Sequence, residues 1–270
     1  MIDTLSAILL GFVEGLTEYL PVSSTGHLIL VGHLLGYTGE KAASFDIIIQ
    51  LGAILAVVVL YFQRFWWLVV PQRHHPFSGV RGLWLLFLTC LPASLVGLVA
   101  RTAIKTYLFG PVSVALALTV GAVMIFLVER RRGRDRYYSL DEMTPKLAFG
   151  IGCFQCLSLW PGFSRSAATI MGGMLLGAKR SLAAEYSFIA AVPIMFAATL
   201  YDFYKSAALF TRDDLGFLAI GFVVSFLSAL LAVKVFIVMV KRVSLVPFAW
   251  YRLALAGVVF WFWAHNGFGI

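Results

Sequence analysis

Apolar residues run along this chain in long blocks, and polar ones interrupt them at a few sharp places. Six blocks, 45–62, 83–100, 112–128, 183–200, 215–240 and 247–264, each come near the roughly 20 residues that an α-helix needs to cross about 30 Å of hydrocarbon. They predict six transmembrane helices. Two further stretches, 5–35 and 147–177, are apolar at both ends but broken in the middle by PVSSTGH and by PGFSRSAAT. Each is too short and too polar for an ordinary span, and predicts a re-entrant hairpin of helix, loop and helix.

The two broken stretches resemble each other. At an offset of 140 to 141 residues Gly11 falls on Gly152, Glu14 on Gln155, Pro21 on Pro161, Ser24 on Ser164 and the run 34–36 on 175–177. Near the end of each half, Lys105 and Pro111 meet Lys241 and Pro247 at an offset of 136. The chain reads as two copies of one unit, residues 1–135 and 136–270, each a hairpin followed by three spans. Three is odd, so the second copy enters the membrane upside down relative to the first. The expected fold is an all-α polytopic membrane protein with an inverted-topology repeat, six transmembrane helices and two re-entrant hairpins, forming one membrane domain. Broken helices at membrane depth need protein or water to satisfy their freed backbone groups, so the two loops are expected to meet near the midplane and line a cavity.

Composition agrees with a membrane chain: 61% of residues are hydrophobic and 13% charged, with a mean hydropathy of +0.91, far from the mix of a soluble domain. The net charge of +8 does not point to nucleic acid, because the basic residues lie in short loops. Thirteen of them, from Arg64 to Arg242, fall on one predicted side and five on the other, which makes the crowded side cytoplasmic. Both termini and the mouth of the first hairpin then face outward, while Arg165, Lys234 and Arg252 remain inside the membrane. Glu14 and Glu18 interrupt the first apolar run and no basic segment precedes it, so no cleaved leader is expected. Cys90, Cys153 and Cys156 lie in apolar segments and suggest no disulfide framework.

The chemistry collects in EGLTEYLPVSSTGH, Glu14 to His27, and in PGFSRSAAT. Glu14 and Glu18 are four apart and share a helix face, where two carboxylates at membrane depth need a partner. One reading is a structural pair with one member protonated; the other, favoured by the polar residues downstream, is a site for a divalent cation, Mg²⁺ or Ca²⁺, held against phosphate oxygens. Ser23, Ser24 and Thr25 sit at a helix start, where hydroxyls cap free N–H groups and the positive helix end attracts an anion. Ser164 repeats the cap in the second loop. Arg165 beside it offers a guanidinium fork suited to phosphate, or a salt-bridge partner for Glu14 or Glu18. His27, one turn into its helix, is expected near the Ser24 hydroxyl as base, acid or phosphoryl acceptor. The pairs Gly32 and Gly36, and Gly173 and Gly177, form GxxxG and read as close helix packing.

EGLTEYLPVSSTGH and PGFSRSAAT resemble the two motifs of the integral-membrane undecaprenyl-diphosphate phosphatases of the bacitracin-resistance type, and the likeness covers nearly the whole chain. The resemblance implies removal of the terminal phosphate of undecaprenyl diphosphate on the outer face of the bacterial inner membrane, with a divalent cation, recycling the cell-wall lipid carrier. It implies metal and catalytic roles for Glu14 and Glu18, nucleophile or base roles for Ser24 and His27, phosphate binding by Arg165, and lesser parts for Ser164, Ser166 and Thr169. The type-2 phosphatidic acid phosphatases are excluded, because the histidine their motif requires six residues after the arginine is Met171 here. The implied partners are a polyprenyl diphosphate and the surrounding lipids, and a homodimer is compatible with the architecture. A lipid-phosphate flippase would use the same repeat and the same anion site; Glu14, Glu18 and His27 favour chemistry over transport.

Overall fold

The structure, a computed structural model, describes residues 4–108, 110–131, 133–206 and 209–266. Arg132 and both chain ends, which bear on the orientation argued above, lie outside the described residues, as do the side chains of Lys105 and Pro111. Among the described residues the chain is helical throughout, with no strand. Short helices α1 (Thr4–Thr17) and α2 (Ser24–Leu34) are followed by α3 (Glu40–Leu60), α4 (Phe62–Val69), α5 (Gly79–Val99), α6 (Arg101–Tyr107) and α7 (Pro111–Arg130). A second short pair, α8 (Pro145–Gln155) and α9 (Arg165–Leu175), precedes α10 (Arg180–Ser206), α11 (Leu215–Val240) and α12 (Val246–Asn266).

Helices α3, α5, α7, α10, α11 and α12 are the ones long and apolar enough to span, and they fall on the six blocks read from the hydrophobic pattern. Helices α4 and α6 were not anticipated, because eight and seven residues are too few to register as a separate block. Large apolar side chains face outward, as in the stripe Leu227, Leu231, Val235 and Val238 on α11, while Glu14, Gln155 and Arg252 are buried. Apolar outside and polar inside is the arrangement a lipid solvent selects, and the chain is a multi-pass membrane protein.

Helix α1 packs along α11 and α8 along α5, so each leading short helix leans on a span from the other half of the chain. Helix α3 lies against α10 and α11, and α7 against α12. Glycine allows the closest approaches. A Cβ on Gly11 would sit 2.5 Å from the Gly221 carbonyl oxygen, and one on Gly152 would sit 2.5 Å from that of Thr89.

A Cβ on Gly173 would sit 2.9 Å from that of Ala183 on α10, as its GxxxG spacing suggests, but the second glycine of each pair has another use. Gly36 (φ 65°) and Gly177 (φ 96°) end α2 and α9 in the left-handed conformation. The Tyr37 N–H donates to the Gly32 carbonyl and the Gly36 N–H to that of His33, and Ala178 and Gly177 repeat this with Gly173 and Met174. This doubly bonded turn satisfies carbonyls that a helix end otherwise leaves bare.

Candidate active site

The two short helix pairs position the chemistry through their caps. Ser23 Oγ accepts from the Gly26 N–H and Ser164 Oγ from the Ala167 N–H, each at 3.3 Å. Both serines also have positive φ, 73° and 74°, and no other non-glycine residue among those described does. A side chain in that conformation costs about 1 to 3 kcal/mol, strain that tends to collect at functional sites. Ser23, not Ser24, is therefore the counterpart of Ser164. The register slips because the second loop takes three residues from Pro161 to its cap, and the first takes two from Pro21.

Between the loops lies a cavity of about 260 Å³, lined by Glu18, Ser23, Ser24 and Thr25 from the first loop and by Gln155, Ser158, Ser164 and Arg165 from the second. Six of the expected site residues, Glu18, Ser23, Ser24, Thr25, Ser164 and Arg165, thus meet in one space. The N-termini of α2 and α9 bring partial positive charge to it, and Arg165 a full one.

Inside this space three groups form a line. Ser24 Oγ donates to Glu18 Oε2 at 2.6 Å, and Arg165 Nη2 donates to Glu18 Oε1 at 3.3 Å. Arg165 Nη1 donates to the Ser187 carbonyl at 3.0 Å, the guanidinium carbon lies 5.4 Å from the Tyr19 ring centroid, and Nε has no partner among the described residues. A short hydroxyl-to-carboxylate bond, with the carboxylate oriented by a cation, is the geometry of a nucleophile beside its base.

Glu14, Ser166, Thr169 and His27 are not on the cavity lining. Glu14 is 1% exposed, and neither of its carboxylate oxygens has a hydrogen-bond partner among the described residues. Buried oxygens without donors are costly, and a hard divalent ion bound there would supply a partner. Among the described residues no group of three or more His, Cys, Asp or Glu side chains stands placed to hold a metal ion. Ser166 Oγ donates to the Leu20 carbonyl at 2.8 Å, which ties the second loop to the first, and Thr169 Oγ1 donates to the Arg165 carbonyl at 2.9 Å. These two brace the loops and Arg165.

His27 departs from the expected pairing with Ser24. Its Nδ1 lies 2.7 Å from the Ser23 carbonyl oxygen and its Nε2 2.6 Å from the Tyr251 hydroxyl. The fourth residue of α2 folds its ring back onto the cap carbonyl, which leaves Nε2 facing α12 and leaves the Ser24 hydroxyl to Glu18.

Arg252 is the residue whose part the motifs did not announce. It is 0% exposed, and its guanidinium donates to four carbonyls: Leu118 at 3.2 Å and Ala117 at 3.1 Å on α7, Pro21 at 3.3 Å in the first loop and Gly162 at 3.1 Å in the second. Pro21 and Gly162 each lie two residues before a strained serine. Gly121 makes the room, since a Cβ there would fall 2.1 Å from Arg252 Nη2. A basic residue at membrane depth was the sequence signal; which carbonyls it holds was not readable.

The profile of the family described as "Bacitracin resistance protein BacA" matches residues 7–258. A protein of Solidesulfovibrio magneticus named undecaprenyl-diphosphatase is 80% identical over 97% of this chain and 99% of its own length. Proteins of the same name from Maridesulfovibrio salexigens and Lawsonia intracellularis are 67% and 55% identical over 98% and 94% of this chain, and over 100% and 96% of their own lengths. With the profile running through both loops and five of the six spans complete, this chain belongs to the bacitracin resistance protein BacA family.

Proposed function

We propose that this chain is an undecaprenyl-diphosphate phosphatase, which removes the terminal phosphate of undecaprenyl diphosphate to give undecaprenyl phosphate and inorganic phosphate. The observation that carries this reading is the line from Ser24 through Glu18 to Arg165 in a cavity flanked by two helix N-termini. In this reading the Arg165 guanidinium and the two helix ends bind the terminal phosphate. Ser24 Oγ attacks its phosphorus while the Ser24 proton passes to Glu18, and the bond to the bridging oxygen breaks so that undecaprenyl phosphate leaves. Water then attacks the phosphoserine, the Glu18 proton returns to Ser24 Oγ as the P–O bond breaks, and inorganic phosphate departs with both protons of the water. Glu14 and Glu18 would hold a divalent cation, whose chemistry would be to neutralise phosphate charge. Ser23 and Ser164 fix the helix ends, and Thr25, at the mouth, meets the diphosphate.

The same reading makes residues 1–135 and 136–270 inverted copies, each opening with a re-entrant hairpin, in a bacterial inner membrane with the site and both termini facing outward. The matched caps and terminal turns of α2 and α9, and the crossed packing of α1 on α11 and α8 on α5, support it. A cysteine placed in the 130–140 loop should then react only with reagent admitted to the cytoplasm, and one near Thr38 only from outside.

The direct test is phosphate release from undecaprenyl diphosphate by detergent-purified protein, with and without chelator. One phosphate per lipid is expected, with loss of turnover on chelation and in Ser24→Ala. A fully active Ser24→Ala would remove the serine from the attacking role.

A further inference from the structure

Both ring nitrogens of His27 are occupied, and neither faces the cavity. A carbonyl oxygen can only accept, so Nδ1 donates to the Ser23 carbonyl; Nε2 of the neutral ring then accepts from the Tyr251 hydroxyl. The two rings lie 7° from parallel with centroids 5.5 Å apart. Neither a carboxylate nor a cationic side chain pairs with His27 among the described residues. What the ring does hold is the carbonyl of a strained residue, Ser23 at φ 73°. The second loop has no such brace, since alanine, Ala168, stands one turn into α9 where His27 stands in α2.

We propose that Tyr251 is a positioning residue that acts through His27: its hydroxyl fixes the imidazole, and the imidazole in turn holds Ser23 in the left-handed conformation that shapes the cavity wall. The inference rests on the phosphatase reading only in taking that cavity as the reacting space. Tyr251 is adjacent in sequence to Arg252, so consecutive residues of α12 brace the first loop at two points, the Pro21 carbonyl directly and the Ser23 carbonyl through a ring. Nothing about an aromatic residue on a spanning helix sets Tyr251 apart in the sequence; it is half exposed, like many lipid-facing rings.

The test is a double-mutant cycle with a spectroscopic partner. Tyr251→Phe keeps the ring and removes the hydroxyl, and should lower kcat roughly 2- to 10-fold, the worth of one ordinary hydrogen bond, with KM unchanged. Ser23→Gly removes the need for a brace, because glycine takes positive φ freely. In that background Tyr251→Phe should therefore cost nothing further. In bilayers of ring-¹⁵N-histidine protein, Tyr251→Phe should move the Nε2 resonance of His27 and leave Nδ1 in its protonated range. An equal loss of kcat in both backgrounds would show Tyr251 acting by another route and overturn the proposal. An unmoved Nε2 resonance overturns it whatever the activity. Absence of phosphate release from the wild-type protein would instead sink the phosphatase reading and leave the resonance to decide this one.

Discussion

Ser23 and Ser164 share one unusual backbone state: each caps a helix of eleven residues while holding φ near 73°. Serine is a poor choice for that conformation and a good one for a cap, so each position sets strain against capping. Ser23→Gly should relieve the first and give up little of the second, leaving the melting temperature equal or higher while turnover falls. Ser23→Ala keeps the strain and loses the cap, and should cost about 1 kcal/mol of stability. A glycine variant that is less stable than the alanine variant would contradict this account.

Glu14 has two buried oxygens and, among the described residues, no donor for either. Glu14→Gln should therefore stabilise the chelated protein or leave it unchanged, whereas Mg²⁺ or Ca²⁺ should raise the melting temperature of wild type and not of the variant. Thermal shifts across a metal titration measure this without substrate. An equal metal-induced shift in both proteins would separate Glu14 from the ion.

Arg165 and Glu18 form an ion pair with side chains 11% and 7% exposed. Arg165→Ala strands the carboxylate, and breaking such a buried pair typically costs about 3 to 5 kcal/mol. Adding Glu18→Gln should restore much of the melting temperature and none of the turnover. Arg165→Lys keeps the charge but cannot serve Glu18, Ser187 and a phosphate together, and should lose about 10- to 100-fold in turnover efficiency. A fully active lysine variant would show that charge alone suffices.

Outside the spans, the Asp141 carboxyl is held below its ordinary range. Burial pushes it up, but hydrogen bonds from His75 and the Phe77 N–H and the Arg64 charge outweigh that. A depressed carboxyl contributes stability that is present above its unfolded value, about 4, and is lost as pH falls through the folded value. Asp141→Asn should therefore melt lower than wild type at neutral pH, with the gap closing below about pH 4. A gap that persists in acid would mean the amide disturbs packing instead.

The spans, the two broken stretches and six residues of the cavity were legible in the sequence because each is a local pattern: an apolar block, a proline-serine break, a carboxylate four residues from another. The GxxxG pairs were legible only in part: Gly173 does pack closely, but the same spacing also serves a helix-ending turn, and only backbone φ at Gly36 and Gly177 shows that use. The His27 ring was assigned to Ser24 by nearness along the chain; the partner it has, Tyr251, is 224 positions away. Arg252 was hardest to read, since its partners are backbone carbonyls, which every residue has. Glycine at 121 was one side-chain trace of it, and a lone glycine in a spanning helix carries no address.

Arg252 and Gly121 fill one volume, so Gly121→Ala should displace the guanidinium much as Arg252→Lys does. Each should lower the free energy of unfolding, by on the order of 2 to 3 kcal/mol for the loss of a charged hydrogen bond or more, and the double variant should be little worse than either. Additive losses would show that the two positions act separately.

The clamp also sets an order of assembly. Pro21 emerges from the ribosome among the first residues and Gly162 in the middle, yet the side chain that joins their carbonyls belongs to the last helix. Until α12 has entered the bilayer, the Pro21 and Gly162 carbonyls lack the guanidinium that joins them, and the loops meet through Ser166 on Leu20 and Arg165 on Glu18. A nascent chain stalled before residue 246 would carry every motif and still lack the clamp between the Pro21 and Gly162 carbonyls.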